Sequence, residues 1–188
     1  MKDPRALTLW PEWCPAFSGV RLANGVPSQL DKGVENRPMA PWATIEPRTA
    51  LGIVKPGRWF AMHAGAHIGG CPGNEGALGD VVETARAAGW AMQVVPGGAD
   101  GTIRLTRGER STDLRPEIIV RSAIVALIRV TAVQAPGEGA GEPWRFADRF
   151  GWRLDVRALA TPIPCRGAQG LWRVPDAVAE AIRAQVTS

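Results

Sequence analysis

The sequence contains no tyrosine, only three lysines and only three cysteines among 188 residues. The cysteines, at positions 14, 71 and 165, form no Cys-x-x-Cys pair, so neither a zinc ribbon nor a disulfide framework is suggested. Two further features are missing: a run of about 18 apolar residues that would span a membrane, and the apolar core of an amino-terminal secretion signal. The sequence therefore predicts a cytoplasmic protein with reduced thiols and no membrane span.

Because lysine is scarce, arginine supplies nearly all of the positive charge. The formal net charge is +4 and the sequence pI is near 9.5. A basic surface attracts polyanions, so this balance is compatible with a phosphate-bearing partner. It is equally compatible with the arginine-rich composition that a GC-rich genome produces, and charge alone does not separate the two explanations.

Glycine, proline and tryptophan are abundant, with 22, 16 and 8 residues. Glycine and proline cluster at 70–76, 96–101 and 136–143, which favours many turns and short strands. The length and the even composition predict one domain over residues 1–188. Within it, residues 91–117 predict a long, irregular and mobile excursion, in which 102–106 are compatible with a short strand and 107–115 carry mixed charge without a clear period.

Hydrophobic patterns predict several strands and a few helices along the chain. Strands are expected at 6–10, 59–64, 118–133, 150–156 and 171–174, with Pro162 and Pro164 ending the fourth. Helices are expected at 13–20 and 75–88, and a final helix opens at Pro175.

One short segment, 30–38, carries charges of the kind that bind a polar ligand. Lys32, Glu35 and Arg37 lie within six residues of each other. If the segment runs as a strand entered from a loop, Glu35 and Arg37 share one face, and Lys32 arrives from the turn before it. Such a cluster either holds a partly anionic ligand or is a solvated charged turn.

The spacing Lys-x-x-Glu-x-Arg resembles the signature of the ASCH domains, a branch of the PUA-like superfamily. Four other segments are similar to the same family in the same order, at 6–13, 57–65, 151–157 and 164–172, so the resemblance spans nearly the whole chain. Leu30 departs from it, because the family commonly has glycine there. The resemblance implies an α+β fold, namely a PUA-like mixed β-barrel with flanking helices. It also implies a cleft for RNA, a nucleotide or a modified nucleoside.

Two enzyme activities found among ASCH-like proteins match this sequence only in part. Amidohydrolases of acylated nucleosides use a lysine, a threonine three residues later and a glutamate from a later strand; here Glu35 stands at the position of the threonine. Ribonuclease-like members use a tyrosine, which this sequence lacks. Three hypotheses therefore stay open: ligand binding in a basic cleft, hydrolysis with Lys32 and Glu35 as catalytic residues, and a protein-interaction module.

Four residues outside the signature are candidates for lining the cleft. Trp10 and Trp42 flank the signature in sequence, and tryptophan faces stack on nucleic acid bases. His63 is expected at the end of a strand, where it lines the cleft. Arg166 follows two prolines that hold its loop rigid, so it either faces ligand or is a plain surface arginine.

Other tryptophans and the histidine region are assigned structural positions. Trp59, Trp152 and Trp172 occupy strand positions and are expected in the core. Histidine and cysteine recur every four residues from His63 to Cys71, which would form a metal face on a helix. The run is predicted as a strand entering a glycine-rich loop, where that spacing does not converge. No metal and no cofactor is therefore expected.

Overall fold

The structure is a computed structural model that describes residues 5–37, 58–67, 77–95, 102–168 and 170–186. In chain order, its strands are β1 (Arg5–Leu9), β2 (Val34–Arg37), β3 (Trp59–Ala64), β4 (Ala91–Val94), β5 (Ile103–Arg107), β6 (Arg110–Leu114), β7 (Ala123–Gln134), β8 (Phe150–Pro164) and β9 (Leu171–Arg173). Its α-helices are α1 (Ala77–Ala87) and α2 (Asp176–Val186). These elements make an α+β fold, which confirms the predicted class. No helix in the described ranges is long and apolar enough to cross a membrane.

Six strands form the larger sheet, in the order β2-β8-β7-β3-β1-β9. The β1 and β3 pair is parallel, and the other pairs are antiparallel. The outer strands β2 and β9 have four and three residues and do not pair with each other. The described strands therefore do not close into a barrel, although the family resemblance implied one.

The longest strand pair, β7 with β8, differs from the prediction at both ends. Strand β7 begins at Ala123 and not at 118, because a short 3-10 helix occupies Pro116–Ile118 and Ser122 has φ +49°. Strand β8 continues through Pro164, so the two prolines do not end it. Strand β2 pairs only with the first four residues of β8. The proline end therefore has no ladder partner on that side in the described part of the chain, and a missing N–H is tolerated there.

Residues predicted as an irregular excursion form a second sheet. Its described strands have the antiparallel order β4-β5-β6. Leu105 and Leu114 from this sheet are fully buried in a core that also contains the apolar face of α1. Strand β5 agrees with the short strand considered at 102–106, whereas the expectation of an irregular segment was wrong for β4 and β6.

The helix predictions are partly confirmed. Helix α1 buries Leu78, Val81, Val82 and Ala85 and ends before Gly89, whose φ of +89° suits the residue after a helix. Helix α2 packs on β8 through its apolar stripe, with Ile182 fully buried. The helix predicted at 13–20 is instead a 3-10 helix at Pro11–Ala16, which contains a second proline.

The predicted core tryptophans are only partly core residues. Trp152 is buried among strands of the larger sheet, whereas Trp59 and Trp172 are half-buried and pack against the cluster beneath α2. Trp90 and Trp144 are buried as well, in the core of the second sheet. Buried tryptophans thus occur in the core of the larger sheet and in the core of the second sheet.

A single carboxylate, Asp31, joins the second sheet to the signature segment. Its Oδ1 accepts hydrogen bonds from the indole N–H groups of Trp90 at 3.2 Å and Trp144 at 3.1 Å. Its Oδ2 pairs with Arg107 and, at 3.3 Å, with Arg110. Both guanidinium groups also lie over the Trp90 ring, 5.0 and 5.1 Å from its centroid. Because buried indoles need an acceptor, this carboxylate fixes the two tryptophans.

Trp144 has an unusual backbone that these contacts support. Its φ of +65° is strained for a bulky residue. Asp31 holds its indole, and Asn36 donates from Nδ2 to its carbonyl at 2.8 Å. The turn that follows Trp144 is therefore held in place by two neighbours of the signature residues.

Removing the Asp31 carboxylate tests its role in stability. We expect Asp31→Ala to lower the free energy of unfolding by about 2–4 kcal/mol, because two buried indole N–H groups and two guanidinium groups lose their acceptor. Urea denaturation measures the change. Asp31→Asn, which keeps an amide oxygen facing the indoles, should recover part of the loss.

The matched control is Asp113→Ala. Asp113 also pairs with an arginine of the same sheet, Arg104, through two hydrogen bonds at 2.7 and 2.8 Å. Both members of that pair are exposed, so we expect a clearly smaller loss than for Asp31→Ala. Equal losses for the two variants would contradict the role assigned to Asp31.

Candidate ligand-binding pocket

The three charged residues of the signature line one pocket. Glu35 and Arg37 lie on one face of β2, and Lys32 precedes the strand. The approach of Lys32 is fixed by its backbone N–H, which donates to the carbonyl of Ala16 at 2.9 Å. The sheet holds the next residue, because Leu154 donates to the carbonyl of Gly33 at 2.9 Å. The structure thus brings Lys32, Glu35 and Arg37 together, as the alternation of the segment predicted.

Lys32 is a buried cation with its contacts occupied. Its Nζ lies 2.7 Å from Oε2 of Glu35, and its side chain is 3% exposed. The ammonium also lies 4.6 Å from the ring centroid of Trp13 and 4.9 Å from that of Phe17. The carboxylate and the two aromatic rings stabilise the buried ammonium, so protein groups already occupy the contacts of Lys32.

Arg37 is the most available cation of the trio. Its Nη2 lies 3.1 Å from Oε1 of Glu35, and its guanidinium lies 5.8 Å from the Trp152 ring centroid. Its Nε and Nη2 are buried atoms and have no hydrogen-bond partner in suitable geometry within the described residues. The side chain as a whole is 25% exposed and lines the pocket. The exposed part of Arg37 can therefore contact an anionic group in the pocket.

Glu35 neutralises both cations. Burial by itself raises the pKa of the Glu35 carboxyl, but the charges of Lys32 and Arg37 and the hydrogen bond from Lys32 outweigh burial and hold its pKa below the usual value. Glu35 is therefore ionised at neutral pH. An ionised carboxylate that accepts a hydrogen bond from Lys32 and faces the guanidinium of Arg37 is suited to orienting both cations.

The pocket has a volume of about 480 Å³ and aromatic walls. Trp10, which is 53% exposed, Trp13 and Phe146 line it. The rings of Trp13 and Phe146 meet edge to face, with centroids 6.3 Å apart. Asn36 positions Phe146, because the Phe146 N–H donates to its Oδ1 at 2.9 Å. Exposed aromatic faces beside a guanidinium suit a planar, partly anionic ligand.

The charge of the pocket is mixed, where the sequence predicted a basic cleft. Asp80 and Glu83, on the exposed side of α1, belong to the lining together with Arg37 and Arg149. With Lys32 and Glu35, the lining carries three cationic and three anionic side chains. The lining is therefore complementary to a molecule that combines hydrogen-bond donors with a negative group.

Sequence reasoning missed several lining residues. Asp80 and Glu83 have the i, i+3 spacing of one helix face, so the predicted helix contained a signal for them. Phe146 and Arg149 lie in a loop whose path depends on the strained turn at Trp144, and no local pattern marks them. Loop residues of this kind are found only when the fold is known.

His63, Arg166 and Trp10 also line a pocket, but not all of them line the same one. Trp10 contacts the signature pocket, as predicted, whereas His63 and Arg166 line a neighbouring pocket of about 600 Å³. Trp10 and Thr8 line both pockets. Trp42, the other predicted wall, lies outside the described residues.

His63 is a buried residue with a defined tautomer. Its Nε2 lies 2.9 Å from the carbonyl of Cys165, so Nε2 carries the proton and donates. Its Nδ1 faces the hydroxyl of Thr8 at 3.3 Å, and its ring meets Trp172 edge to face. Burial lowers the pKa of His63, and the bond to the Cys165 carbonyl opposes that only in part. His63 is therefore neutral at pH 7.

The structure groups no three histidine, cysteine, aspartate or glutamate side chains as a metal site in the ranges that it describes. Cys71, the third member of the spacing considered from the sequence, lies outside those ranges. Both nitrogens of His63 face protein groups, so this histidine is not poised as a metal ligand.

Comparison of the sequence with models of protein families and with curated proteins gives no match. The resemblance to ASCH domains therefore stays a prediction that depends on the residues named above. Any function has to be argued from the chemistry of the pocket.

Glu35 is expected to be essential for stability because it is the counter-ion of a buried ammonium. We expect Glu35→Gln to lower the free energy of unfolding at neutral pH by about 3–5 kcal/mol, since an unpaired buried charge is costly. Urea denaturation measures this. Combining it with Lys32→Met, which removes the buried cation, should restore part of the loss. Strict additivity of the two single changes would contradict a coupled pair.

The same pair predicts a dependence of stability on pH. Because the pKa of Glu35 is lower in the folded chain than in the unfolded chain, folding favours its ionised form. The resulting stabilisation is complete above the unfolded pKa of about 4.3 and is lost as the pH falls through the lower folded pKa. We therefore expect the stability difference between wild type and Glu35→Gln to narrow below about pH 4. A difference that stays constant under acid would contradict this assignment.

Proposed function

We propose that this chain is a single ASCH-like domain of the PUA-like class, and that it binds a nucleotide-like ligand in the signature pocket. The ligand has a planar aromatic base and an anionic substituent. The observation that carries this proposal is that Arg37, whose side chain is 25% exposed, and Trp10, which is 53% exposed, line the same pocket.

The aromatic walls support a base as the planar part of the ligand. Stacking of a base on an aromatic side chain contributes roughly 1–3 kcal/mol, and it accepts any base because each has a π face. Trp10 offers such a face, since 53% of its surface is exposed. The volume of about 480 Å³ lies within the range of ordinary small-ligand pockets, roughly 300–1,000 Å³.

The charged groups support an assignment of both ends of the ligand. Arg37 and Arg149 are the more exposed cations of the lining and can contact a phosphate or another anion, although Glu35 and Asp148 pair with them, whereas Lys32 is buried against Glu35. Asp80 and Glu83 can accept hydrogen bonds from exocyclic amino groups on a base edge. The mixed lining thus favours a base with amino donors over a purely anionic ligand.

The contacts of Lys32 favour binding over hydrolysis. A nucleophilic or basic lysine needs a free amine that reaches the substrate. The ammonium of Lys32 instead lies against a carboxylate and two aromatic rings, with 3% of its side chain exposed. We therefore assign Lys32 to the support of Glu35 and Arg37, and Arg37 to ligand contact.

Titration calorimetry with the four ribonucleoside 5′-monophosphates and the corresponding nucleosides tests the proposal. We expect at least one monophosphate to bind, and Trp10→Ala and Arg37→Gln each to weaken that binding about tenfold or more. Arg183→Gln, which changes an exposed arginine of α2 outside the pocket lining, is the matched control and should leave affinity unchanged.

The salt dependence of binding separates the ligand classes. A mononucleotide held by one or two cations gives a shallow slope of log affinity against log salt, whereas a polynucleotide gives about −0.7 for each phosphate contacted. Absence of binding to every nucleotide and nucleoside would overturn the proposal and leave a protein-interaction module as the better reading of the pocket.

A further inference from the structure

The pocket beside the signature pocket has no role in the function proposed above. Its volume is about 600 Å³, and Thr8, Trp10, His63, Ser122, Arg166 and Gly167 are among its lining residues. His63 and Thr8 are engaged with protein groups, so they form its base. Arg166 and Ser122 are exposed, and neither side chain has an ion pair or hydrogen bond within the described part of the chain.

The floor of this pocket is rigid. The Thr8 hydroxyl accepts a hydrogen bond from the indole of Trp172 at 3.0 Å and donates to the carbonyl of Ala168 at 2.7 Å. A Cβ placed on Gly167 would lie 2.2 Å from the His63 ring, so this backbone fits against the imidazole without room to spare. The loop that carries Arg166 is thereby held against β1 and β3.

The two pockets share a wall. Thr8 and Trp10 line both, because they alternate along the same face at the end of β1. Trp10 is the exposed member of the pair, at 53%. Because this exposed side chain belongs to both linings, a single ligand that reaches past it can contact both pockets.

Arg166 gives the second pocket a cation comparable to Arg37 in the first. Each pocket thus has at least one arginine and Trp10 in its lining. Single-stranded nucleic acids repeat the same pair of groups, a base and a phosphate, in every unit. The repetition in the protein matches the repetition in such a ligand.

We propose that the pocket of Arg166 is a second subsite, and that the ligand has at least two nucleotide units. One unit lies in the signature pocket, the next lies in the pocket of Arg166, and Trp10 stacks between their bases. Arg166 binds the phosphate of the second unit. This inference rests on the proposed function, because it extends the same ligand across Trp10.

The experiment compares the four ribonucleoside 5′-monophosphates with the corresponding 5′-phosphorylated dinucleotides by titration calorimetry. We expect the dinucleotides to bind about tenfold tighter or more, since one base and one phosphate are added. In Arg166→Gln this gain should disappear while the affinity for monophosphates stays at the wild-type value. The dinucleotide salt slope should be steeper by about 0.7, and the variant should lose that difference.

Arg166 is exposed, so its replacement should leave the unfolding midpoint unchanged, and Arg183→Gln is again the control. Dinucleotides that bind no better than monophosphates, or a gain that survives in Arg166→Gln, overturn the second subsite and leave the proposed function standing. Failure of both ligand classes to bind overturns the proposed function and the subsite together. Binding of dinucleotides alone, lost in both Arg37→Gln and Arg166→Gln, supports the subsite.

Discussion

The buried ion pair between Lys32 and Glu35 is the constraint around which this pocket is built. An ammonium with 3% of its side chain exposed is tolerable only beside a carboxylate, because desolvating an unpaired charge costs several kcal/mol. Glu35 satisfies that demand with one oxygen and faces Arg37 with the other. The geometry of Arg37 therefore follows from a requirement of folding, and the pocket inherits a guanidinium that is already oriented.

Neighbouring residues of the same segment turn this local demand into a connection across the molecule. Asp31 faces the second sheet and binds two buried indoles, whereas Lys32, the next residue, faces the pocket. Asn36 then holds the turn that presents Phe146. A segment of six residues thus positions both the second core and the aromatic wall. Substitutions in this segment are therefore expected to change both the free energy of unfolding and the affinity for a ligand.

The sequence predicted the elements with strong periodicity and missed those that depend on distant contacts. The alternation around Glu35 and Arg37 and the apolar stripe of α1 were readable, because each is local. The sheet at 91–114 was not, since its short strands are stabilised by Leu105 and Leu114 packing on residues far away in the chain. The position of His63 also depends on distant contacts, so the sequence predicted it in the same cleft as the signature residues. Only the fold shows that His63 lines a second pocket, which shares Trp10 with the first.

The carboxylates of α1 limit what the pocket can hold. Asp80 and Glu83 line the same pocket as Arg37, so each further phosphate brought near them meets repulsion within a Debye length of about 8–10 Å. A long polyanion laid along α1 would gain little from the net charge of +4. A chain that instead runs from Arg37 past Trp10 to Arg166 enters a pocket that neither α1 carboxylate lines. Repulsion by Asp80 and Glu83 and attraction by Arg166 would together favour one orientation of the bound ligand. Specificity of this kind uses an unfavourable contact as well as a favourable one.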